Sequence, residues 1–170
     1  MRLLLGLMLC AAAFAQSEKP KDRPAVRFYR LDFVVKELDE STVMNSRNYS
    51  MTIATDHRAS PSSIRTGSRV PYQVSSGNYQ FADVGVNIDC RWGNMLEIPA
   101  QPDGMLVLTI NAEISSVAPG GLPSAHPIIR QTKWGSLVLL PEKKPTIVFS
   151  SDDAASRRKM QLELTATPIG

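Results

Sequence analysis

Histidine and cysteine are scarce in this chain, with two of each among 170 residues. His57 and His126 both stand beside turn residues, without a second histidine or a carboxylate at ligand spacing, so no metal site is indicated. Serine is plentiful, yet no G-x-S-x-G elbow occurs, and Cys90 has no histidine near it in sequence. A nucleophile with a positioned base is therefore not indicated. Gly120-Gly121 lies between prolines instead of between a strand and a helix, which excludes a phosphate-cradling loop there. No cofactor is expected, and the chain reads as a non-enzyme. An excess of one charge is lacking too: 19 basic against 16 acidic residues leave +3. So small a surplus gives no reason to expect nucleic acid or an anionic membrane surface as a partner.

Also lacking is an apolar run long enough for a spanning helix. Leu3–Ala13 provides about 11 residues where about 20 are needed. With Arg2 before it and Ala13-Phe14-Ala15 after it, this run reads as a signal peptide over residues 1–15, cleaved after Ala15. Cleavage removes Cys10, which Leu9 disqualifies as a lipidation site, and leaves Cys90 alone. A lone cysteine in an exported chain is either buried or open to intermolecular thiol pairing. The alternating pattern of Val84–Arg91 favours burial. No disulfide framework exists, so packing must hold the fold. Residues 16–24, polar and with two prolines, read as a flexible leader, and 25–170 as a single domain.

Helical periodicity is missing as well. What is there is period-2 alternation, punctuated by Pro61, Pro71, Pro99, Pro102, Pro119, Pro123, Pro127, Pro141 and Pro145. The pattern predicts an all-β, antiparallel, sandwich-like domain of about eight strands. Val26–Leu38 and Met44–Thr55 form a long hairpin turning at Asp39-Glu40-Ser41, with Tyr49, Met51 and Ile53 on one face. Ser63–Pro71 is a short strand, joined through Ser75-Ser76-Gly77-Asn78 to Tyr79–Arg91. Met105–Val117 is the cleanest strand: Leu106, Leu108, Ile110, Ala112 and Ile114 line one side. Ile128–Leu140, Thr146–Ser150 and Lys159–Thr167 follow, the last hairpin turning at Asp152–Ser156. The basic cluster Arg157-Arg158-Lys159 is expected to face Asp152 and Asp153 across that turn, as a solvated pairing of little energetic weight.

Several short motifs occur in a fixed order. Asn48–Thr55 ends in Asp56-His57, and Gly67-Ser68-Arg69-Val70-Pro71 makes a G-x-x-V-P element. Tyr79–Val86 contains Asp83-Val84-Gly85-Val86, Met105–Val117 closes with Glu113-Ile114-Ser115, and Pro127-Ile128-Ile129-Arg130-Gln131-Thr132 opens the next strand. In this order, over residues 45–150, they resemble the secretin family, the ring-forming outer-membrane channel subunits of bacterial secretion and pilus machines. The resemblance implies an exported protein of the periplasm or outer membrane of a Gram-negative-type bacterium. It implies shape-determining roles, not reactive ones, for Gly67, Pro71, Asp83, Gly85 and Pro127. Gly67 suits a bend or close backbone approach, and Pro71 is expected to end the pairing by removing a donor. Gly85 is expected to relieve crowding between its flanking valines, and Asp83 to bond nearby backbone.

Two departures qualify what the resemblance implies. A secretin would continue after Val148-Phe149 with a glycine pair and a long apolar part, and would carry ring-building modules before this domain. Here Ser150–Asp153 makes a polar turn, so a truncated, stand-alone secretin-like domain is expected. Met105–Val117 is long enough to cross a membrane as a strand, but Lys133, Glu142, Lys143 and Lys144 interrupt the next candidate, which favours a soluble domain. Unpaired edges, with Val26–Leu38 taken as one, would let the protein act by strand pairing with itself or with a secretion or pilus component. The alternative is a soluble periplasmic β-sandwich that serves as a binding or scaffold module without a pore.

Overall fold

Alternating side chains build two faces on every strand, and the computed structural model pairs those faces into a sandwich. It describes residues 25–56, 58–93, 104–117, 128–153 and 157–170. The signal peptide, the leader, His57, His126 and Pro127 lie outside them. The strands are β1 (Phe28–Asp39), β2 (Thr42–Ala54), β3 (Ser62–Ser75), β4 (Asn78–Trp92), β5 (Met105–Val117), β6 (Ile129–Pro141), β7 (Thr146–Asp152) and β8 (Arg158–Ile169). A first sheet has the order β2-β1-β8-β7 and a second the order β3-β4-β5-β6, every ladder antiparallel.

The first sheet is closed in its middle by strands from opposite ends of the domain. β1 and β8 pair from Phe28↔Ile169 to Asp39↔Arg158. The alternation of each matches the other: Leu31 faces Ala166, Phe33 faces Leu164 and Val35 faces Leu162, all six buried. The strand expected to offer an edge, Val26–Leu38, is thus interior, and the edges of this sheet are β2 and β7. The reason is the C-terminal strand, whose period-2 pattern fits β1 residue by residue and takes its second side.

Across the interface, Val86, Ile88 and Cys90 of β4 and Leu106, Leu108, Ile110, Ala112 and Ile114 of β5 complete the core. Tyr49, Met51 and Ile53 of β2 pack against it from the side expected. Each fully buried aliphatic or aromatic side chain contributes on the order of 2 kcal/mol of transfer free energy. Trp134 and Phe149, with ring centroids 5.4 Å apart, join β6 to β7 where the sheets meet. Turn chemistry follows the sequence: Glu40 takes φ 54° in the β1–β2 turn, and Gly77 takes φ 82° in the β3–β4 turn.

A second stitch lies where the chain passes from β6 to β7. The amide of Lys143 donates to the Ala166 carbonyl at 2.7 Å, and the amide of Glu142 donates to Gly104 O at 2.9 Å. The Tyr29 hydroxyl, with the ring buried, donates to Glu142 Oε1 at 2.6 Å. Burial, then the bond to Glu142, raises the Tyr29 pKa above its usual 10. A raised phenol pKa stabilises the fold fully below pH 10, and that contribution is lost as pH rises through the folded value. Removing the hydroxyl in Tyr29→Phe is expected to cost about 1–2 kcal/mol in urea unfolding, with an unchanged β-type circular dichroism spectrum.

Candidate functional site

The β3–β4 hairpin is longer than the sheet that carries it. Its ladder runs from Ser62↔Cys90 to Ser75↔Asn78. β4, however, pairs with β5 only from Trp92↔Leu108 to Val86↔Ile114. β5 goes on to pair with β6 as far as Val117↔Ile129. Beyond Val86 the two-stranded ribbon therefore leaves the second sheet and projects as an arm, residues 68–84.

Two glycines make the departure. Gly67 and Gly85 are register partners, so the backbones meet where neither strand has a side chain. A Cβ on Gly67 would lie 2.2 Å from Val84 O, and one on Gly85 would lie 2.1 Å from Thr66 O and 2.5 Å from Gly67 Cα. Gly85 also has φ +154°, which L side chains rarely adopt. Its close approach is to the backbone of the opposite strand. The Gly85 amide donates to Ser115 Oγ at 3.0 Å, and Ser115 is the buried polar residue among the described residues. A side-chain hydroxyl thus takes the place of a ladder acceptor where β4 parts from β5. Sequence reasoning passed over Ser115; the signal was a hydroxyl near the end of β5, inside the Glu113-Ile114-Ser115 motif.

The arm has two unlike faces. Ala82 and Val84 continue the side of β4 that buries Val86, Ile88 and Cys90, and Val70, Tyr72 and Val74 share that side on β3. The other side carries Arg69, Pro71, Phe81 and Asp83. Pro71 does not end the pairing: it faces Phe81 in mid-strand, and the ladder continues to the turn. β3 is a sheet edge, and a proline is tolerated there when its missing N–H points away from the neighbour. Asp83 pairs with a side chain and not the expected backbone, its carboxylate 3.3 Å from Arg69 Nε, while the Arg69 guanidinium sits 5.0 Å over the Phe81 ring. Phe81 remains 55% exposed and Tyr79 63%.

Cys90 stands at the opposite end of the hairpin. It is 1% exposed in the core, and burial pushes its thiol up to about 12. Pairing with a second copy would require the sandwich to open. The basic cluster is divided between partners: Lys159 reaches Asp152 at 3.4 Å across the hairpin as expected, while Arg157 reaches Glu40 at 2.8 Å on the β1–β2 turn. Asp153 pairs with Arg130 at 3.2 Å, and its amide donates to the Arg158 carbonyl at 2.8 Å. Among the described residues no group of His, Cys, Asp and Glu could hold a metal ion.

No family model and no curated protein matches the chain. Its structure is similar to that of the type II secretin GspD from enteropathogenic Escherichia coli, with 11% identity and a TM-score of 0.48 over 85% of this chain and 66% of that one. It is similar to the Salmonella SPI-1 type III secretion injectisome secretin InvG, with 10% identity and a TM-score of 0.46 over 85% and 64% of the two chains. A third similar chain comes from the Klebsiella pneumoniae type II secretion system outer membrane complex of PulD, PulS and the PulC HR domain, at 10% identity, TM-score 0.46, and 85% and 39% coverage. The likeness is partial and concerns the fold, and this chain spans less than two thirds of the chains it resembles.

Because an added methyl has no room at either glycine, Gly67→Ala and Gly85→Ala are each expected to lower stability by more than about 2 kcal/mol, or to release the arm to proteolysis. Ser115→Ala strands the Gly85 amide and is expected to cost about 1–2 kcal/mol. Denaturant midpoints and limited trypsin digestion check all three. The Cys90 thiol is expected to resist alkylation by iodoacetamide at pH 8 in the native protein and to react fully in guanidinium, as followed by intact mass.

Proposed function

We propose that this is a non-enzymatic, exported cell-envelope protein that acts by strand-mediated assembly, with copies of itself or with a component of a protein secretion or pilus system. The observation that carries the proposal is the open second sheet. Its edge strands β3 and β6 have 14 and 13 residues and no neighbour on their outer sides in the strand order of the described residues. Edges of such length invite pairing unless they are blocked.

The strand count supports a repeating contact. With four antiparallel strands the two edges run in opposite directions, so β6 of one copy laid beside β3 of the next keeps the antiparallel order. Such a head-to-tail contact closes into a ring or continues as a filament. The arm adds a second surface, since over residues 78–85 β4 has β3 on one side and an open edge on the other. The apolar signal run and the A-x-A site support export to the envelope.

A second reading, a soluble periplasmic binding or scaffold module, is favoured by one observation. The apolar row of β5, on the strand long enough to cross a membrane, is buried against the first sheet and so is already used within the sandwich. Native cells fractionated into periplasm and outer membrane, run unheated on a denaturing gel and probed for this protein, separate the readings. Assembly predicts a detergent-resistant multimer that collapses to monomer on heating. A single monomer band confined to the periplasmic fraction would refute assembly in favour of the module.

A further inference from the structure

The outer side of the second sheet, turned away from the core, is polar in its middle, between an apolar end at Val107, Leu137 and Leu139 and another at Val117 and Ile129. Strand register places its side chains in rows: Ser63, Asp89, Asn111 and Gly135 form one, and Arg65, Asn87, Glu113 and Lys133 the next. Between the rows lies a shallow trough of about 470 Å³ whose rim includes Arg65, Asp89, Glu113 and Lys133. It runs into a second hollow of about 410 Å³ at the foot of the arm, which shares Arg65, Asn87 and Glu113 and reaches Arg69 and Asp83. Together they make one furrow that crosses the sheet from β6 to β3 and turns along β4 toward the arm, where the bare backbone of Gly67 and Gly85 floors it. The exposed rings of Phe81 and Tyr79 stand beyond its arm end, on the same side of β4.

Three properties of this furrow specify its ligand. Its charges cancel: Arg65, Arg69 and Lys133 stand against Asp83, Asp89 and Glu113, so it concentrates neither polyanions nor polycations. Those charges are also spoken for. Arg65 grips Asp89 with two bonds of 2.6 and 2.8 Å, Ser63 Oγ donates to Asp89 at 2.6 Å, and Lys133 and Gln131 hold Glu113 at 3.2 and 2.5 Å. The Ser63 hydroxyl, then Arg65, keeps the Asp89 carboxyl below its usual range, so this carboxylate is held in place and ionised at neutral pH. In contrast, the carboxamides of Asn87 and Asn111 have no side-chain hydrogen bond among the described residues. Gly135 leaves a dent beside Asn111, where a Cβ would come within 2.6 Å of Asn111 Oδ1.

We infer that this furrow binds a neutral, hydroxyl-rich chain, an oligosaccharide of several units. Each free carboxamide offers two donors and an acceptor, the complement of adjacent sugar hydroxyls, and the fixed carboxylates accept further hydroxyls without moving. The Tyr79 ring at the arm end, 63% exposed, supplies flat apolar surface for the C–H face of a sugar ring. An extended peptide is the poorer fit to the trough between the rows, whose floor is β3–β6 backbone already paired on both sides in β4 and β5, the open edge of β4 lying only at its arm end. From Tyr79 to Asp89 the strand covers about 33 Å, room for roughly six sugar units. This site is independent of the edges used in assembly and stays exposed whether or not copies join through β3 and β6.

The test is titration calorimetry of the purified chain with chitohexaose, cellohexaose and maltohexaose, each to 5 mM (about the weakest binding of interest). At least one hexaose is expected to bind, and N87A/N111A is expected to weaken it by about tenfold or more, while Asn48→Ala on the other sheet leaves it unchanged. Melting curves confirm that the variants are folded. Should the double variant unfold, Gly135→Ser, whose Cβ would displace the Asn111 carboxamide, takes its place with the same expectation. The inference is overturned if none of the three sugars binds, if binding survives these substitutions, or if heparin or an extended neutral peptide binds more tightly at this face than every hexaose.

Discussion

The ladder between β1 and β8 is the contact on which the rest of this molecule rests. Without it the first sheet is two unconnected hairpins, β1–β2 and β7–β8, neither with enough neighbours to be stable alone. The second sheet would then have no lid for Val86, Ile88, Leu108 and Ile110. Because the ladder joins the two ends of the domain, it carries a large loop-closure cost, and apolar burial must outweigh that cost in a single cooperative step. The Tyr29–Glu142 bond and the Lys143–Ala166 bond work on the same seam, tying the crossover from β6 to β7 into the central strands.

The second sheet is built on a different principle. It is a local meander, each strand paired with its sequence neighbour, and so it has two free edges by construction. Both sheets have two edges, but the first ties the two ends of the domain together while the second carries the arm. The division recurs inside the β3–β4 hairpin: its lower half is a wall of the core, and its upper half is an arm with an apolar and a polar side. The change happens within one residue pair, Gly67 and Gly85, and is completed by the Ser115 hydroxyl.

Strand number, strand type and the buried row of β5 were legible because period-2 alternation is a direct imprint of a two-faced sheet. Leu106 to Ile114 could be assigned to one side before any partner was known, and the structure buries that side. Partner choice was not legible. Alternation says which residues face inward but not which strand lies beside which, and so β1 read as an edge until β8 took its free side. Pro71 misled for a related reason: a proline ends a ladder only where its N–H is needed, and need depends on which side the neighbour occupies. The two glycines were visible as motif residues, whereas their contact with each other is a matter of register. The outer furrow was harder still, since Asn87, Asn111 and Gly135 come from three strands and form no pattern along the chain.

The crowding at the paired glycines has a mechanical consequence. From Gly67 to the turn at Gly77 the arm extends about 33 Å, so a change of about 0.1 radian at its foot carries the tip about 3 Å. That is the spacing of one residue along a neighbouring strand. A loosely hinged arm would blur its own register against any strand it met, whereas one set by backbone against backbone holds a fixed aim. The glycines thus act as the sighting of a lever, turning ångström-scale contact at the base into positional accuracy at the tip.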